Sequence, residues 1–452
     1  MLLRPSRNSQ KGHGGGRKGH THARAGYQYQ RKYIGTEVKL PISTLKLSHV
    51  LEFFGLRKST IGMLFMVILV GMGERMAERF LPVYLIAIGG SVLSVGLLNG
   101  LDNLLSALYA YPGGYLSDRI GTKRALFVFN IFAMIGYLIV IFIPSWQAVL
   151  VGAVFFLSWS AISLPATMSL ITKVLPLNKR TMGVSMLSLV RRIPMALGPI
   201  LGGLCIGLWG EVNGVRTAFV VALLLSVVAT IVQQLLIDAD PSQPAKTGPV
   251  SPEKNPLKLL RHMSPSLKRL LVADILVRYC EQIPYAFVVI WSMKTIAKPV
   301  SAVQFGFLTG VEMVVAMLIY VPVAYFADKS TKKPFVVATF IFFTFFPLVL
   351  LFSQSFPFLV LAFILRGLKE FGEPTRKALI MDLAPEDRKA GLFGLYYLMR
   401  DMVVSIAAFG GAFLWMLGPA VNFLTAFSFG VIGTTVFAIW GNDQGQKMKS
   451  SL

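Results

Sequence analysis

The sequence predicts an all-α membrane protein whose twelve transmembrane helices form two six-helix halves, and three observations support this prediction. The 452 residues are 54% hydrophobic and only 14% charged, with a mean hydropathy of +0.64, which is high for a soluble protein. Apolar runs of about 20 residues, long enough to cross a hydrocarbon core, recur between residues 61 and 440. The pattern of the first six runs also returns in the last six.

The twelve runs are predicted to be helices because they are too long for barrel strands and show no strict alternation of polar and apolar residues. Short connections join all of them except the middle two. The long connection, 238–268, is predicted to be a cytoplasmic linker between an N-terminal half, 61–237, and a C-terminal half, 269–441. The predicted spans are 62–87, 92–114, 125–143, 147–172, 183–209, 216–237, 269–292, 302–325, 335–352, 357–381, 391–416 and 420–441.

Lysine and arginine concentrate in the even-numbered connections, and the odd-numbered ones nearly lack them. By the positive-inside rule the even connections and both termini are cytoplasmic, which predicts a multi-pass protein of the cell membrane. Much of the net charge of +23 therefore reflects topology, and no nucleic-acid partner is expected. The basic residues concerned are Arg119, Lys123, Arg124, Lys173, Lys179, Arg180, Lys329, Lys332, Lys333, Arg376, Lys377, Arg388 and Lys389.

The N-terminal segment, residues 1–60, is basic and Gly-rich without a hydrophobic period, so it is predicted to be a disordered cytoplasmic tail. It has no apolar core of a signal peptide. Three interpretations remain open: a tail lying on anionic lipid, upstream residues included by a misplaced start codon, and a tether for nucleic acid or a partner. Residues 442–452 are predicted to be a short cytoplasmic tail. No metal or cofactor is expected.

An internal repeat relates the two halves. The segment "VGLLNGLDNLLSALYAYPGGYLSDRIGTKR" (95–124) aligns with "FGFLTGVEMVVAMLIYVPVAYFADKSTKKP" (305–334) and places Asp102 on Glu312. The stretch "GERMAERF" (73–80) aligns with "CEQIPYAF" (280–287) and places Glu74 on Glu281. Parallel repeats of this kind predict two halves related by an axis along the membrane normal.

The connection after the second span carries the most specific motif, "GGYLSDRIGTKR" (113–124). It resembles the signature loop of the major facilitator superfamily, G-x-x-x-D-[RK]-x-G-x-[RK]-[RK], and the similarity to this family extends over 61–441. Glycines here permit close helix approach and a tight turn. The resemblance implies that the loop's aspartate caps a helix of the other half and acts as a conformational latch. The predicted latch residues are Gly114, Asp118, Arg119, Gly121, Lys123, Arg124 and, in a degenerate second copy, Asp328.

A second motif, "GPILGG" (198–203), is similar to the G-P-x-x-G-G element of exporter branches of this family. Gly198, Pro199, Gly202 and Gly203 match it and also provide a bare face for helix packing. The resemblance implies antiport. Exporters usually carry an arginine in the fourth span, which this chain lacks, so we expect the mechanism to be weighted towards the second half.

Charged residues within the spans are the candidate functional residues. In "GMGERMAERF" (71–80) the two glutamates and two arginines fall within an arc of about 140° on a continuous helix. Lipid exposure would cost each about 2.5–3.5 kcal/mol, so this side is predicted to face a cavity between the halves. The tenth span carries four charges within about 100°. The predicted cavity residues are Glu74, Arg75, Glu78, Arg79, Asp102, Arg191, Arg192, Arg278, Glu281, Glu312, Arg366, Lys369, Glu370, Glu373, Arg400 and Asp401.

These residues predict a secondary active transporter that works by alternating access, and not an enzyme. Carboxylates with separable basic partners suit proton coupling, and Glu74 and Glu370 are the preferred candidates; static ion pairs are the alternative. Three functions stay open: proton-coupled export of an amphipathic compound, proton symport of a polar or charged solute, and a non-transporting sensor or scaffold. The expected partners are a small-molecule substrate, protons and membrane lipids, with the chain acting as a monomer.

Overall fold

The computed structural model describes residues 58–157, 159–174, 177–238, 263–328, 331–384 and 389–443. Within these ranges the chain is almost entirely helical and contains no strand. The predicted N-terminal tail up to residue 57, the linker residues 239–262 and the end of the C-terminal tail, 444–452, lie outside the described residues.

The described part of the first half contains seven helical segments. The first predicted span is not continuous, because α1 ends at Glu78 and α2 begins at Leu81; Pro82 has no amide hydrogen to donate to the carbonyl of residue 78. The segments are α1 (Lys58–Glu78), α2 (Leu81–Ala87), α3 (Val92–Ile120), α4 (Thr122–Phe142), α5 (Trp146–Phe156), α6 (Trp159–Val174) and α7 (Leu177–Leu236). Two predicted spans lie in α7, on either side of a kink at Gly210, whose φ is 77°.

The second half repeats this plan with one further interruption. The tenth predicted span divides into two helices around residues 369–372, because Pro374 cannot donate to the carbonyl of Glu370. The predicted arc of four charges on one continuous helix is therefore wrong. The segments are α8 (Pro265–Tyr285), α9 (Phe287–Ile290), a π-helical turn (Trp291–Thr295), α10 (Ala302–Asp328), α11 (Lys333–Phe352), α12 (Phe356–Leu368), α13 (Glu373–Leu383), α14 (Lys389–Leu417) and α15 (Pro419–Trp440).

Nine helices in the described ranges are long and apolar enough to cross a membrane. One of them covers both arms of α7. The predicted spans absent from the nine are α8 and the α12–α13 pair, which carry several charges each. With the arms of α7 taken separately and these two charged spans added, the structure agrees with the twelve predicted crossings.

The halves meet along two helix pairs, α3 with α14 and α7 with α10. Gly96 brings α3 against α14 so closely that a Cβ at this position would lie 2.4 Å from the Cβ of Ala412. A Cβ at Gly306 on α10 would lie 2.4 Å from the carbonyl oxygen of Pro199. Both contacts involve helix ends that the sequence predicts to lie on the outer side of the membrane.

Candidate functional site

A small cavity lies between the two halves. Its free volume of about 40 Å³ accommodates only a few water molecules. Its lining combines charged and apolar side chains from both halves. The lining residues are Glu78, Arg79, Leu81, Pro82, Leu98, Asn99, Asp102, Leu157, Tyr285, Ala286, Val288, Val289, Phe305 and Arg366.

Breaks in the helices place charged groups at this cavity. Arg79 lies in the interruption between α1 and α2, and Tyr285 is the last residue of α8. The guanidinium carbon of Arg79 lies 5.2 Å from the centroid of the Tyr285 ring, and that of Arg366 lies 5.5 Å from it. Both distances are within the range of cation–π attraction. Tyr285 of the second half therefore connects to an arginine of each half.

The carboxylates of the first half have few basic partners. Glu74 is buried and accepts a hydrogen bond from the Ser160 hydroxyl at 2.8 Å. Glu78 pairs with Arg75, three residues earlier on the same helix, at 2.5 Å. Asp102 lines the cavity and, within the described part of the chain, makes no hydrogen bond or ion pair. In the described residues, none of these three carboxylates forms an ion pair with a base on another helix.

Two carboxylates of the second half, Glu281 and Glu312, are each held by two bases. Lys369 places its Nζ atom 2.8 Å from Glu281 and 3.3 Å from Glu312. Arg278 pairs with Glu281 at 2.6 Å, and Arg366 lies 3.4 Å from Glu312. The network joins α8, α10 and α12, so these ion pairs fix three helices relative to one another.

A second buried cluster surrounds Asp274 on α8, which sequence reasoning missed. Its carboxylate accepts hydrogen bonds from Arg376 and, at 2.9 Å, from the Tyr396 hydroxyl, and Arg400 lies 3.5 Å away. Arg376 also pairs with Glu373 at 2.7 Å. The prediction that Arg376 lies in a cytoplasmic connection is wrong: the residue belongs to α13, and its side chain is 1% exposed.

Polar contacts cross between the halves near the cavity, and two of them join side chains. Arg192 on α7 pairs with Glu370, in the break of the tenth span, at 3.1 Å. The Asn103 side chain donates to the Gln282 side chain at 3.2 Å. Neither Asn103 nor Gln282 was predicted as a site residue; their alignment on facing helices is visible only in three dimensions.

The structure divides the predicted cavity residues among several places. Arg191 donates to the Ser160 carbonyl at 3.4 Å, beside Glu74, and Arg400 also pairs with its neighbour Asp401 at 2.7 Å. The residues at the cavity itself are Glu78, Arg79, Asp102 and Arg366. The others form the ion-pair networks, the Asp274 cluster and the cross-half pair.

The "GPILGG" motif lies where α7 packs on α1 and α10. A Cβ at Gly202 would lie 1.9 Å from the carbonyl oxygen of Met76 on α1, and one at Gly203 would lie 2.4 Å from that of Ala302 on α10. Gly198 faces Arg75, with 2.6 Å between the two Cβ positions. Close packing is thus sufficient to explain why these positions are glycine.

The predicted latch loop is a tight turn between α3 and α4. Gly121 has a φ of 87°, and Lys123 donates to the carbonyl of Gln234 on α7 at 2.8 Å. The closest helix approach is at Gly113, where a Cβ would lie 2.2 Å from the Ile162 carbonyl oxygen, and not at Gly114, where ordinary contact distances hold.

Among the charged residues of the predicted latch, Arg119 and Arg124 are exposed. The side chains of Asp118 and Asp328 lie outside the described part, so the latch itself stays a prediction.

Solved structures of membrane transporters resemble this chain. A peptide transporter POT in complex with sulfate is 16% identical, with a TM-score of 0.65 over 83% of this chain and 93% of its own. A bacterial homolog of the human lysosomal transporter Spinster, in an inward-facing and unoccupied conformation, is 14% identical, with a TM-score of 0.63 over 84% and 94%. A variant of the nucleoside transporter NupG is 12% identical, with a TM-score of 0.72 over 84% and 99%.

At these identities the structural likeness establishes the fold. No curated protein sequence is significantly similar to the chain. The sequence matches the Major Facilitator Superfamily over residues 63–291 and again over 284–451, which together include nearly all of the described residues. The predicted twelve crossings are consistent with this match, and the chain belongs to the Major Facilitator Superfamily of membrane transporters.

Proposed function

We propose that this protein is a proton-coupled secondary transporter of a small polar or charged solute. The proposal is carried by one observation: the cavity between the halves contains Asp102, a carboxylate without a counter-ion in the described part of the chain, together with Arg79 and Arg366. Charged groups at the midplane of a transporter serve substrate binding or ion coupling, because their burial is otherwise costly. Movement of the halves about this cavity exposes it alternately to the two sides.

The proton is assigned to the first half. Protonation of Asp102 requires no ion pair in the described residues to be broken. Protonation of Glu74 changes only its hydrogen bond with the Ser160 hydroxyl. In the second half, protonation of Glu281 or Glu312 requires separation from a lysine or an arginine at low dielectric. Asp102 and Glu74 are therefore the proposed coupling residues, and the separable cross-half pair makes Glu370 the next candidate.

Export by proton antiport is the second candidate. Its support is the match of "GPILGG" to the exporter element, although the packing of α7 on α1 and α10 accounts for these glycines in either direction of transport. The charged cavity fits a polar solute better than an apolar one, because desolvated charges without partners disfavour apolar contact. The two candidates differ in the direction of proton movement when substrate is added.

Liposomes that contain the purified protein and a pH-sensitive dye test the proposal. Amphipathic cations, organic anions and small nutrients are added outside to wild type, Asp102→Asn, Glu74→Gln and Glu370→Gln, with Lys298→Gln at an exposed outer position as a control. We expect at least one compound to change the internal pH, with acidification for symport and alkalinisation for antiport. Asp102→Asn should lower this response at least about tenfold.

Two results would contradict the proposal. The first is normal coupling in Asp102→Asn and Glu74→Gln, which would make these carboxylates structural. The second is that no compound moves protons through a wild-type protein that is folded and correctly inserted.

A further inference from the structure

The cavity brings together two guanidinium groups and one phenol. Arg79 enters from the break between α1 and α2, Tyr285 from the end of α8 and Arg366 from α12. Both guanidinium carbons lie within 5.5 Å of the centroid of the same ring. Two positive charges near one ring repel each other in a low-dielectric interior, so this arrangement requires a compensating negative group.

The described residues pair these two arginines only in part. Within the described residues Arg79 has no carboxylate at ion-pair distance, and the Tyr285 hydroxyl has no hydrogen-bond partner. Arg366 approaches Glu312 at 3.4 Å, longer than the roughly 2.7–2.9 Å of a strong charge-assisted hydrogen bond. Glu312 is also shared with Lys369 at 3.3 Å. Most of the N–H groups of both arginines are therefore available to a ligand.

Neighbouring acidic groups do not pair with these two arginines. Glu78 and Asp102 line the same cavity, but Arg75 engages Glu78 at 2.5 Å, and Asp102 makes no ion pair with Arg79 or Arg366 in the described residues. Arg366 is held in place by aromatic rings as well, with Phe346 at 5.1 Å and Phe363 at 5.6 Å from its guanidinium carbon. An arginine whose plane is fixed by rings presents its donors in a defined direction.

We propose that the transported solute carries an oxyanion, a carboxylate or phosphate-like group, and that Arg79, Tyr285 and Arg366 bind it. This inference rests on the transport function proposed above and names the class of its substrate. Planar guanidinium groups match the geometry of carboxylate and phosphate oxygens, and the phenol adds a third donor. Because Arg79 belongs to the first half and the other two residues to the second, the bound anion also connects the halves.

Ligand-dependent stabilisation of the purified full-length protein in detergent tests this site. Sulfate, phosphate and chloride are compared at constant ionic strength, and benzoate is compared with benzamide, which has a similar shape without the charge. The thermal unfolding midpoint is followed by tryptophan fluorescence over a range of concentrations. We expect saturable stabilisation by sulfate or phosphate and by benzoate, and none by chloride or benzamide.

The variants separate this site from general charge effects. Arg79→Gln and Arg366→Gln should weaken anion binding about ten- to a hundredfold, and Tyr285→Phe several-fold, because a charge-assisted hydrogen bond contributes more than a neutral one. Lys298→Gln should bind as wild type does. Arg366 also contacts Glu312, so Arg366→Lys is included in case the glutamine variant does not fold; Arg79→Gln breaks no ion pair in the described residues.

The inference is overturned if benzamide stabilises as well as benzoate, if no oxyanion stabilises the protein, or if Arg79→Gln and Arg366→Gln bind anions normally. This measurement needs no proton gradient. Anion binding without proton movement in liposomes would therefore refute the coupling alone. Proton-coupled flux of compounds that lack an oxyanion, together with no anion binding, would refute this site alone.

Discussion

The two halves derive from one repeat but hold their equivalent carboxylates differently. Glu74 in the first half accepts a hydrogen bond from a serine hydroxyl, whereas its counterpart Glu281 lies between Lys369 and Arg278. Asp102 has no partner in the described residues, whereas its counterpart Glu312 lies between Arg366 and Lys369. The same positions thus carry unpaired acids in one half and ion pairs in the other.

This difference separates two roles for a charge inside a membrane. A carboxylate held by two bases, at least one of them outside its own helix, stabilises the relative positions of the elements it joins, and removal of one partner leaves the others uncompensated. A carboxylate without a base can gain and lose a proton without disrupting the fold. We infer that the second half supplies rigidity and the first half the proton, contrary to the expectation that the mechanism is weighted towards the second half.

The strongest test of this contrast concerns the Asp274 cluster. Arg376→Leu should lower the free energy of unfolding by about 3–5 kcal/mol, because it leaves Asp274 and Glu373 buried with one base fewer. Glu74→Gln in the first half should lower the free energy of unfolding by no more than about 1 kcal/mol. Denaturant unfolding in detergent measures both. Equal losses would show that the halves do not differ as described.

The repeat-related pair Asp102 and Glu312 gives a sharper comparison. Asp102→Asn should abolish proton coupling and leave stability within about 0.5 kcal/mol of wild type. Glu312→Gln should instead lower stability by about 2–3 kcal/mol, because Lys369 and Arg366 lose a shared counter-ion. Proton flux in liposomes and thermal unfolding, measured on the same preparations, distinguish the two. The reverse assignment of effects would place the proton in the second half.

The contact between the halves at Gly96 should respond to added volume. Gly96→Val forces a side chain against Ala412 and should lower the free energy of unfolding by about 1–3 kcal/mol. Transport should also be slower, because α3 and α14 can no longer pack closely. Gly410→Val on α14 is the control, since a Cβ there meets no atom within 4 Å. Solute flux and unfolding midpoints report both effects. An unchanged flux in Gly96→Val would mean that this contact is not needed during the cycle.

The smallest expected effect concerns the ion pair between Arg192 and Glu370, which joins the halves near the cavity. A double-mutant cycle on Arg192→Gln and Glu370→Gln should give a coupling energy of about 1 kcal/mol, since the pair is partly exposed. The exposed pair Lys294 and Glu211, which also spans the halves, should couple by less than about 0.5 kcal/mol. Unfolding free energies of the four variants in each cycle provide the values. A larger coupling for the exposed pair would contradict this ranking.

The sequence predicted the membrane spans because hydrophobic length is a local property, and it placed the interior charges because lipid excludes them. Breaks in the first and tenth spans were signalled by Pro82 and Pro374, but a proline alone does not distinguish a kink from a full interruption. Arg376 was misassigned because a basic residue near a span end resembles a loop residue.

The partners of the charged residues could not be predicted. Arg376 and Asp274 are 102 positions apart, and their contact depends on how α8 and α13 pack. The closest approach of α3 is at Gly113 and not at Gly114. Pro112 lies inside this helix, and the sequence does not predict to within one residue which side of such a helix faces its neighbour. The repeat did align the acids of the two halves, yet it gave no information about which of them would find a base.

The interruption between α12 and α13 has a consequence for amide hydrogen exchange. The Gly372 amide donates to the Thr339 hydroxyl at 2.5 Å instead of to a helix carbonyl, so its protection depends on one side chain of α11. Local openings there require far less than global unfolding. Deuterium should therefore enter the tenth span at residues 369–372 before it enters the continuous helix α11, and Thr339→Val should advance that exchange further. The span that positions Lys369 is thus expected to open locally at a site that depends on α11.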